Sequence, residues 1–120
     1  MAEDNMNILN YLEAGLTAES ARQKAIANNV ANMNTPGYRR SDIRFEELLA
    51  RALESGGEVD LSELKTLFYQ PQTTPVKGNG NDVALDMEVG EMVKNSLRYK
   101  TYMLLLKKKY RQMEAAMRVV

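Results

Sequence analysis

The chain has 120 residues, 44% of them apolar, with sixteen Lys or Arg balancing sixteen Asp or Glu, enough for one modest domain or for an elongated structure without a central core. Cysteine and histidine are absent, which excludes disulfides, thiolate zinc sites, a cysteine nucleophile and a Ser-His-Asp triad. Charge is distributed unevenly: from Met92 onward eight bases face one acid, Glu114, while the first 91 residues hold the other eight bases and fifteen acids.

The N-terminus, Met1-Ala2-Glu3-Asp4, is acidic, with no basic segment ahead of an apolar core, so a cleaved secretory signal is not expected. From Met6 to Met33 the pattern is helical. Leu9, Leu12, Leu16, Ile26, Val30 and Met33 fall on alternating steps of three and four, and Glu19 and Gln23 interrupt that seam in the same register. Four asparagines, Asn28, Asn29, Asn32 and Asn34, then precede Thr35-Pro36-Gly37. Asparagine is a mediocre helix former because its amide competes for nearby backbone groups. Helix termination accounts for one or two of them, with Asn32 or Asn34 as a C-terminal cap and Pro36-Gly37 as the turn. The others are expected to hydrogen-bond across an interface and fix helix register between subunits, as a polar seam residue does in coiled coils.

Ser41 or Asp42 is placed to cap a short helix with Phe45, Leu48, Leu49, Ala52 and Leu53 on one face, stopped by Gly56-Gly57. Asp60 to Glu63 has capping-box spacing ahead of a brief turn. Thr66 to Gln70 reads as a short strand ended by Pro71, followed by an extended linker to Pro75 and a turn at Gly78-Asn79-Gly80-Asn81. Asp86 is a plausible N-cap for the last helix, with Glu88 and Glu91 near its positive end. In that helix Val89, Met92, Ser96, Tyr99, Met103, Leu106, Tyr110, Met113, Met117 and Val120 step 3-4-3-4, a coiled-coil seam of more than four heptads.

The expected fold is mainly α: two long terminal helices forming an antiparallel coiled-coil hairpin, with a small irregular middle of short helix, short strand and extended linker. Its segments are 1–35, the N-terminal helix; 36–85, the middle; and 86–120, the C-terminal helix, in one elongated unit. A lone hairpin leaves much of this seam without a partner, so more surface must be buried against other subunits.

Candidate chemistry is thin. Glu46 and Glu47 point about 100° apart on a helix and cannot share a substrate atom. Gly78 to Asn81 lacks the Gly-Lys-Ser/Thr ending of a phosphate loop. Lys107-Lys108-Lys109 with Arg111 would suit nucleic acid or an anionic membrane, yet Leu106, Tyr110 and Met113 run through the same stretch and place the lysines at a seam's rim. Tyr99, Tyr102 and Tyr110 are more simply core residues than a stacking platform for bases.

Ala27-Asn28-Asn29-Val30-Ala31-Asn32-Met33-Asn34-Thr35-Pro36-Gly37-Tyr38 resembles the N-terminal signature of the flagellar basal-body rod, hook and hook-associated family. Three further stretches are similar to the small proximal-rod members: Tyr38-Arg39-Arg40-Ser41-Asp42-Ile43-Arg44-Phe45, the run Gly80 to Asp86, and the Asn-x-x-Arg-Tyr pattern of Asn95, Arg98 and Tyr99. The resemblance implies a structural, non-catalytic subunit of a helical tube, with no cofactor, metal, nucleic acid or small-molecule substrate. It implies self-association and contact with other rod proteins, the terminal helices surrounding an export channel. It also implies an adaptor protein and a membrane ring at the rod base, torque transmission, and passage through the flagellar type III export apparatus, without a cleaved signal, into a rod within the periplasm. Asn28, Asn29, Asn32, Thr35, Pro36, Gly37 and Tyr38 would form the assembly motif. The alternative is a basic helical module that binds nucleic acid or an anionic membrane through Lys107 to Arg111.

Overall fold

Neither long apolar-periodic segment contains a proline, and each contains one glycine, so nothing in the backbone chemistry breaks it. Both form continuous helices. The computed structural model describes residues 2–60, 62–63 and 67–119, with residues 2–5 and 119 described by backbone alone. The order is α1 (Ala2–Ala31), β1 (Asp42–Ile43), α2 (Phe45–Ser55), β2 (Phe68–Tyr69) and α3 (Leu85–Val119). Helices α1 and α3 pack antiparallel into a hairpin, and the molecule measures 66 × 26 × 17 Å. No helix among the described residues is long and apolar enough to cross a membrane.

Helix α1 works on two sides. One carries Ala14 and Ala18, whose small side chains let α2 approach closely, and Phe45, Leu48 and Ala52 bury against them with Ile43 and Val59 in a small apolar core. Helix α2 ends where expected, at Gly56 in the left-handed conformation (φ 71°), a backbone state glycine adopts at little steric cost. Its exit is then tied back to α1: Tyr11 donates from its hydroxyl to the Gly57 carbonyl (2.6 Å), and the Asn10 amide pairs with both backbone groups of Val59 (2.7 and 3.2 Å).

The start of α2 differs from expectation. Arg44 stands at the N-cap without a side-chain cap bond, because Ser41 and Asp42 are committed elsewhere. Asp42–Ile43 forms β1, which pairs antiparallel with Phe68–Tyr69, in the register Asp42 to Tyr69 and Ile43 to Phe68. The expected strand is thus shorter than Thr66 to Gln70, and Thr66 lies outside the described residues. Arg44 covers the Tyr69 ring at 4.0 Å, a cation–π contact that closes the pair. Asp86 lies inside the first turn of α3, where it accepts a hydrogen bond from the Met87 amide (2.9 Å), and is not the cap.

The second side of α1 meets α3, and the face α3 presents is offset from its apolar repeat. Glu88, Asn95, Tyr102 and Leu106 turn inward, buried or half-buried. Of the apolar seam, Leu106 is buried and Met103 and Met113 are half-buried, whereas Val89, Met92, Tyr99, Tyr110 and Met117 are exposed. Val120 lies outside the described residues. On α1, Ile26 is buried and Leu9, Leu12, Leu16, Val30 and Met33 are half-buried. A single steric fit helps to choose this register. Gly15 is buried beneath the Tyr102 ring, and a Cβ at that position would lie 2.5 Å from Tyr102 Cζ.

Gly15→Ala therefore sets two effects against each other. Alanine gains about 0.5–1 kcal/mol of helix propensity, but the overpacked ring costs about 1–3 kcal/mol. Chemical denaturation is expected to show a net loss of stability for Gly15→Ala, and Tyr102→Leu in the same chain should recover part of it. A stabilised Gly15→Ala chain would contradict this close approach.

Candidate functional site

Where α1 ends, four backbone carbonyls lose their helical partners and need donors. No asparagine of α1 adopts the left-handed cap conformation. The carbonyls of Asn28 and Val30 are met by the amides of Asn32 (3.0 Å) and Met33 (3.2 Å). The turn that follows is held from much later in the chain: Asn81 Nδ2 bonds the carbonyls of Asn32 and Thr35 (both 2.8 Å), while Asn81 Oδ1 accepts from the Val83 amide (2.8 Å). Lys77 Nζ bonds the Met33 carbonyl at 3.3 Å. Two glycine turns lie against each other here. Gly37 (φ 76°) donates its amide to the Asn79 carbonyl (2.9 Å), and a Cβ on Gly80 (φ 85°) would come within 3.3 Å of Gly37 Cα.

Beneath those turns lies a fully bonded polar latch. Asn29, wholly buried, makes four hydrogen bonds. Its Nδ2 donates to the Ser41 carbonyl (3.0 Å) and to Glu88 (3.2 Å), and its Oδ1 accepts from the Tyr38 hydroxyl (3.0 Å) and the Ser41 amide (2.9 Å). Arg40 Nε pairs with Glu88 at 2.6 Å, the two side chains 3% and 0% exposed. Asp82, also wholly buried, accepts from the Arg40 amide (2.6 Å) and reaches Arg39 at 3.4 Å. α1, the Tyr38–Ser41 segment, the Asn81–Asp82 turn and α3 thus share one network. Burial lowers the Arg40 pKa, but the hydrogen bond and charge of Glu88 outweigh it, leaving the guanidinium above its ordinary value. Burial, then the Glu88 charge, raises the Tyr38 hydroxyl.

A second cluster lies near the middle of the hairpin. Arg22, buried, bonds Glu19 (2.8 Å), the Ile43 carbonyl (3.1 Å), Glu46 (2.9 Å) and Asp42 (3.3 Å), joining α1 to β1 and α2. Glu19 also draws in α3: Asn95 Nδ2 bonds its carbonyl (2.7 Å) and its carboxylate (3.3 Å). Glu19 interrupts the apolar seam of α1 because it is one half of a buried ion pair. Gln23, the other interruption, is exposed. Among the described residues no buried side-chain polar atom lacks a partner, as expected where unpaired groups would each cost about 1–3 kcal/mol.

The expected motif residues separate by role. Asn29 and Tyr38 belong to the latch inside the subunit, and Asn29 does not face a neighbour. Asn32 folds onto its own turn, its Nδ2 on the Asn28 carbonyl (2.9 Å) and its Oδ1 accepting from Thr35 (3.2 Å). Asn28, Asn34, Thr35, Pro36 and Gly37 are exposed. Arg22, Arg40, Asn81, Asp82 and Asn95 carry no local chemical signal, and Glu88 is expected only near the positive end of α3, not as the partner of Arg40. Arg40, Asn81, Asp82 and Asn95 stand in stretches similar to proximal-rod proteins, but pairing over such separations leaves no periodic trace. Lys107 and Lys108 are exposed along α3 and Lys109 is half-buried.

Residues 9–39, which hold most of α1 and the first turn of the latch, match the family model described as flagella basal body rod protein. A flagellar basal body rod protein FlgB of Borreliella burgdorferi is 33% identical over 67% of this chain and 73% of its own length. The chain belongs to the flagellar basal body rod family. The FlgB protein of Yersinia enterocolitica is 30% identical over 82% of this chain and 84% of the relative, and that of Buchnera aphidicola 28% identical over 88% and 90%. The rod family is structural, so the chain is not an enzyme, and the nucleic-acid or membrane module finds no support in these relatives.

Two outcomes follow for a rod protein latched in this way. Glu88→Gln leaves the buried Arg40 charge without its counter-charge, a change that costs about 3–5 kcal/mol. Denaturant titration should show that loss, and Arg40→Leu added to Glu88→Gln should recover part of it. Tyr38 and Tyr102 are both raised by burial first of all. Below the ordinary tyrosine value, about 10, they are neutral folded or unfolded. Above it the unfolded chain ionises first, so stability falls as pH rises toward the folded values. Melting temperature should drop between about pH 9 and pH 11, and less steeply in Tyr102→Phe. An identical slope in that variant would contradict the assignment.

Proposed function

We propose that the chain is the proximal-rod subunit of a bacterial flagellar basal body. It assembles helically around the export channel, α1 and α3 forming the inner layer, and joins other rod proteins above and the membrane ring below through an adaptor protein. Torque then passes from ring to distal rod along the hairpins. The subunit reaches a rod in the periplasm through the flagellar type III export apparatus, without a cleaved signal. The observation that carries this reading is the division of labour on α3. Glu88, Asn95, Tyr102 and Leu106 turn toward α1, while Val89, Met92, Tyr99, Tyr110 and Met117 remain exposed on a helical repeat. A coiled-coil seam left open in the monomer is a surface for neighbouring subunits. The exposed Asn28, Asn34 and Pro36 at the hairpin turn are further contacts to such neighbours, so the signature contributes both to the latch and to assembly.

Val89→Asp combined with Met92→Asp tests this directly, since both residues are exposed in the single chain. Monomer stability should stay within about 0.5 kcal/mol of the parent. In the rod each variant subunit would bury unpaired charge, worth several kcal/mol, so its recovery in isolated basal bodies should fall at least about a hundredfold. Normal recovery and swimming in a complemented deletion strain would refute the reading.

A further inference from the structure

Two exposed surfaces of opposite character have no partner among the described residues. On α3, Val93, Leu97, Lys100, Leu104, Lys107 and Arg111 recur at steps of four and three, opposite the inward-facing Asn95, Tyr102 and Leu106. All six are exposed, Leu97 by 61% and Leu104 by 67%. This stripe is not the coiled-coil seam; it lies one residue, about 100°, further round the helix than Met92, Tyr99 and Met103. It mixes apolar side chains with cations, and no acid stands among them. On α2, Glu47, Ala50 and Glu54 lie opposite Phe45, Leu48 and Ala52, with Arg51 and Leu53 on the flanks of that face. All five are exposed, and Leu53, expected on the buried face, is exposed by 56%. At 1.5 Å per residue the stripe from Val93 to Arg111 is about 27 Å long, enough to seat α2, about 16 Å.

We propose that the outer face of α2 in one copy seats on this α3 stripe of a second copy. Leu53 packs against Leu97 and Leu104, and Glu47 and Glu54 lie along Lys100, Lys107 and Arg111. Charge complementarity selects the occupant. A single chain cannot make this contact, because α2 is fixed on α1 by its buried face and by Arg22 to Glu46. Exposed ion pairs are individually weak, so the charges set orientation and exclude wrong partners while the leucines supply burial. The two patches are different, so the contact is heterologous, and repeating it generates an open helical array instead of a closed dimer. The proposal rests on the rod-subunit reading and names one pair of surfaces within it. A polyanion or lipid headgroup would use the same cations, but would be repelled by α2 and leave Leu53 uncovered.

The chain contains no cysteine, so cross-linking is unambiguous. Two differently tagged copies, Leu53→Cys and Leu104→Cys, are co-expressed in a strain lacking its own gene, and isolated basal bodies are oxidised. A disulfide joining the two tags is expected, and none between two Leu53→Cys copies. Glu47→Lys with Glu54→Lys on the first copy should lower the yield at least about tenfold, and Lys100→Glu with Lys107→Glu on the second should restore it. Where a cysteine copy is not recovered, the same charge variants are read by recovery in basal bodies: each double reversal lowers it and all four changes in one chain restore it. Basal bodies holding both copies without the cross-link, or exchange without restoration, overturn the proposal and leave the rod reading intact. Absence of the parent chain from basal bodies would overturn the rod reading instead. Retention on phosphatidylglycerol vesicles that Lys100→Glu with Lys107→Glu abolishes, with no rescue by the α2 exchange, would assign the cations to lipid and also overturn it.

Discussion

Asn29, Arg40, Asp82 and Glu88 are buried together at the base of the hairpin, and each must have its partners at once. That requirement sets the stagger of α1 against α3. An apolar interface tolerates sliding by a turn, because one leucine is much like another. A buried carboxylate that has lost its guanidinium does not, since the orphaned charge costs several kcal/mol. Buried ion pairs add little net stability compared with an apolar filling of the same shape. Their contribution here is specificity: with no buried side-chain polar atom left unpaired among the described residues, one register is selected over its neighbours.

The remaining structure follows from that stagger. With the base fixed, Gly15 comes under Tyr102 and the Glu19 carbonyl comes opposite Asn95. Arg22 then reaches β1 and α2, so the small middle segment is carried by α1. Because α3 turns Glu88, Asn95, Tyr102 and Leu106 to α1, most of its apolar repeat, including Val89, Met92, Tyr99 and Met117, is turned outward. A lone soluble domain would ordinarily cover such a surface; a subunit of a polymer exposes it until a neighbour arrives.

Much of this was legible in the sequence, and the limits have physical causes. The two helices showed because period 3.6 is a local property, and Gly56-Gly57 and Pro71 ended their elements through backbone chemistry. The asparagine run pointed to the right place, since amides inside an apolar rhythm need partners. It did not say whether those partners lie in the same chain or in the next. Asn29 found its partners at Ser41 and Glu88, Asn32 bonds the Asn28 carbonyl at the end of α1 as a cap would, and the turn beyond is held by Asn81. The pairings with Glu88 and Asn81 span 59 and 46 to 49 positions and leave no periodicity behind. The apolar seam of α3 was similarly read as a helix-pairing face, but periodicity reports that a face is buried, not against what. Strand β1 was missed because two residues carry no alternation, and Asp42 also fits a helix cap.

The central claim is that the polar latch, and not apolar burial, fixes how α1 and α3 are aligned. Spin labels at Thr17→Cys and Thr101→Cys, both exposed and on opposite helices of the hairpin, allow the alignment to be measured by pulsed electron resonance. The parent chain should give one narrow distance distribution, unchanged by Met92→Asp on the exposed seam. Asn29→Ala with Glu88→Ala should broaden it or shift it by about one helical turn, roughly 5 Å. A latch variant that keeps the parent distribution, while an apolar variant loses it, would contradict the account.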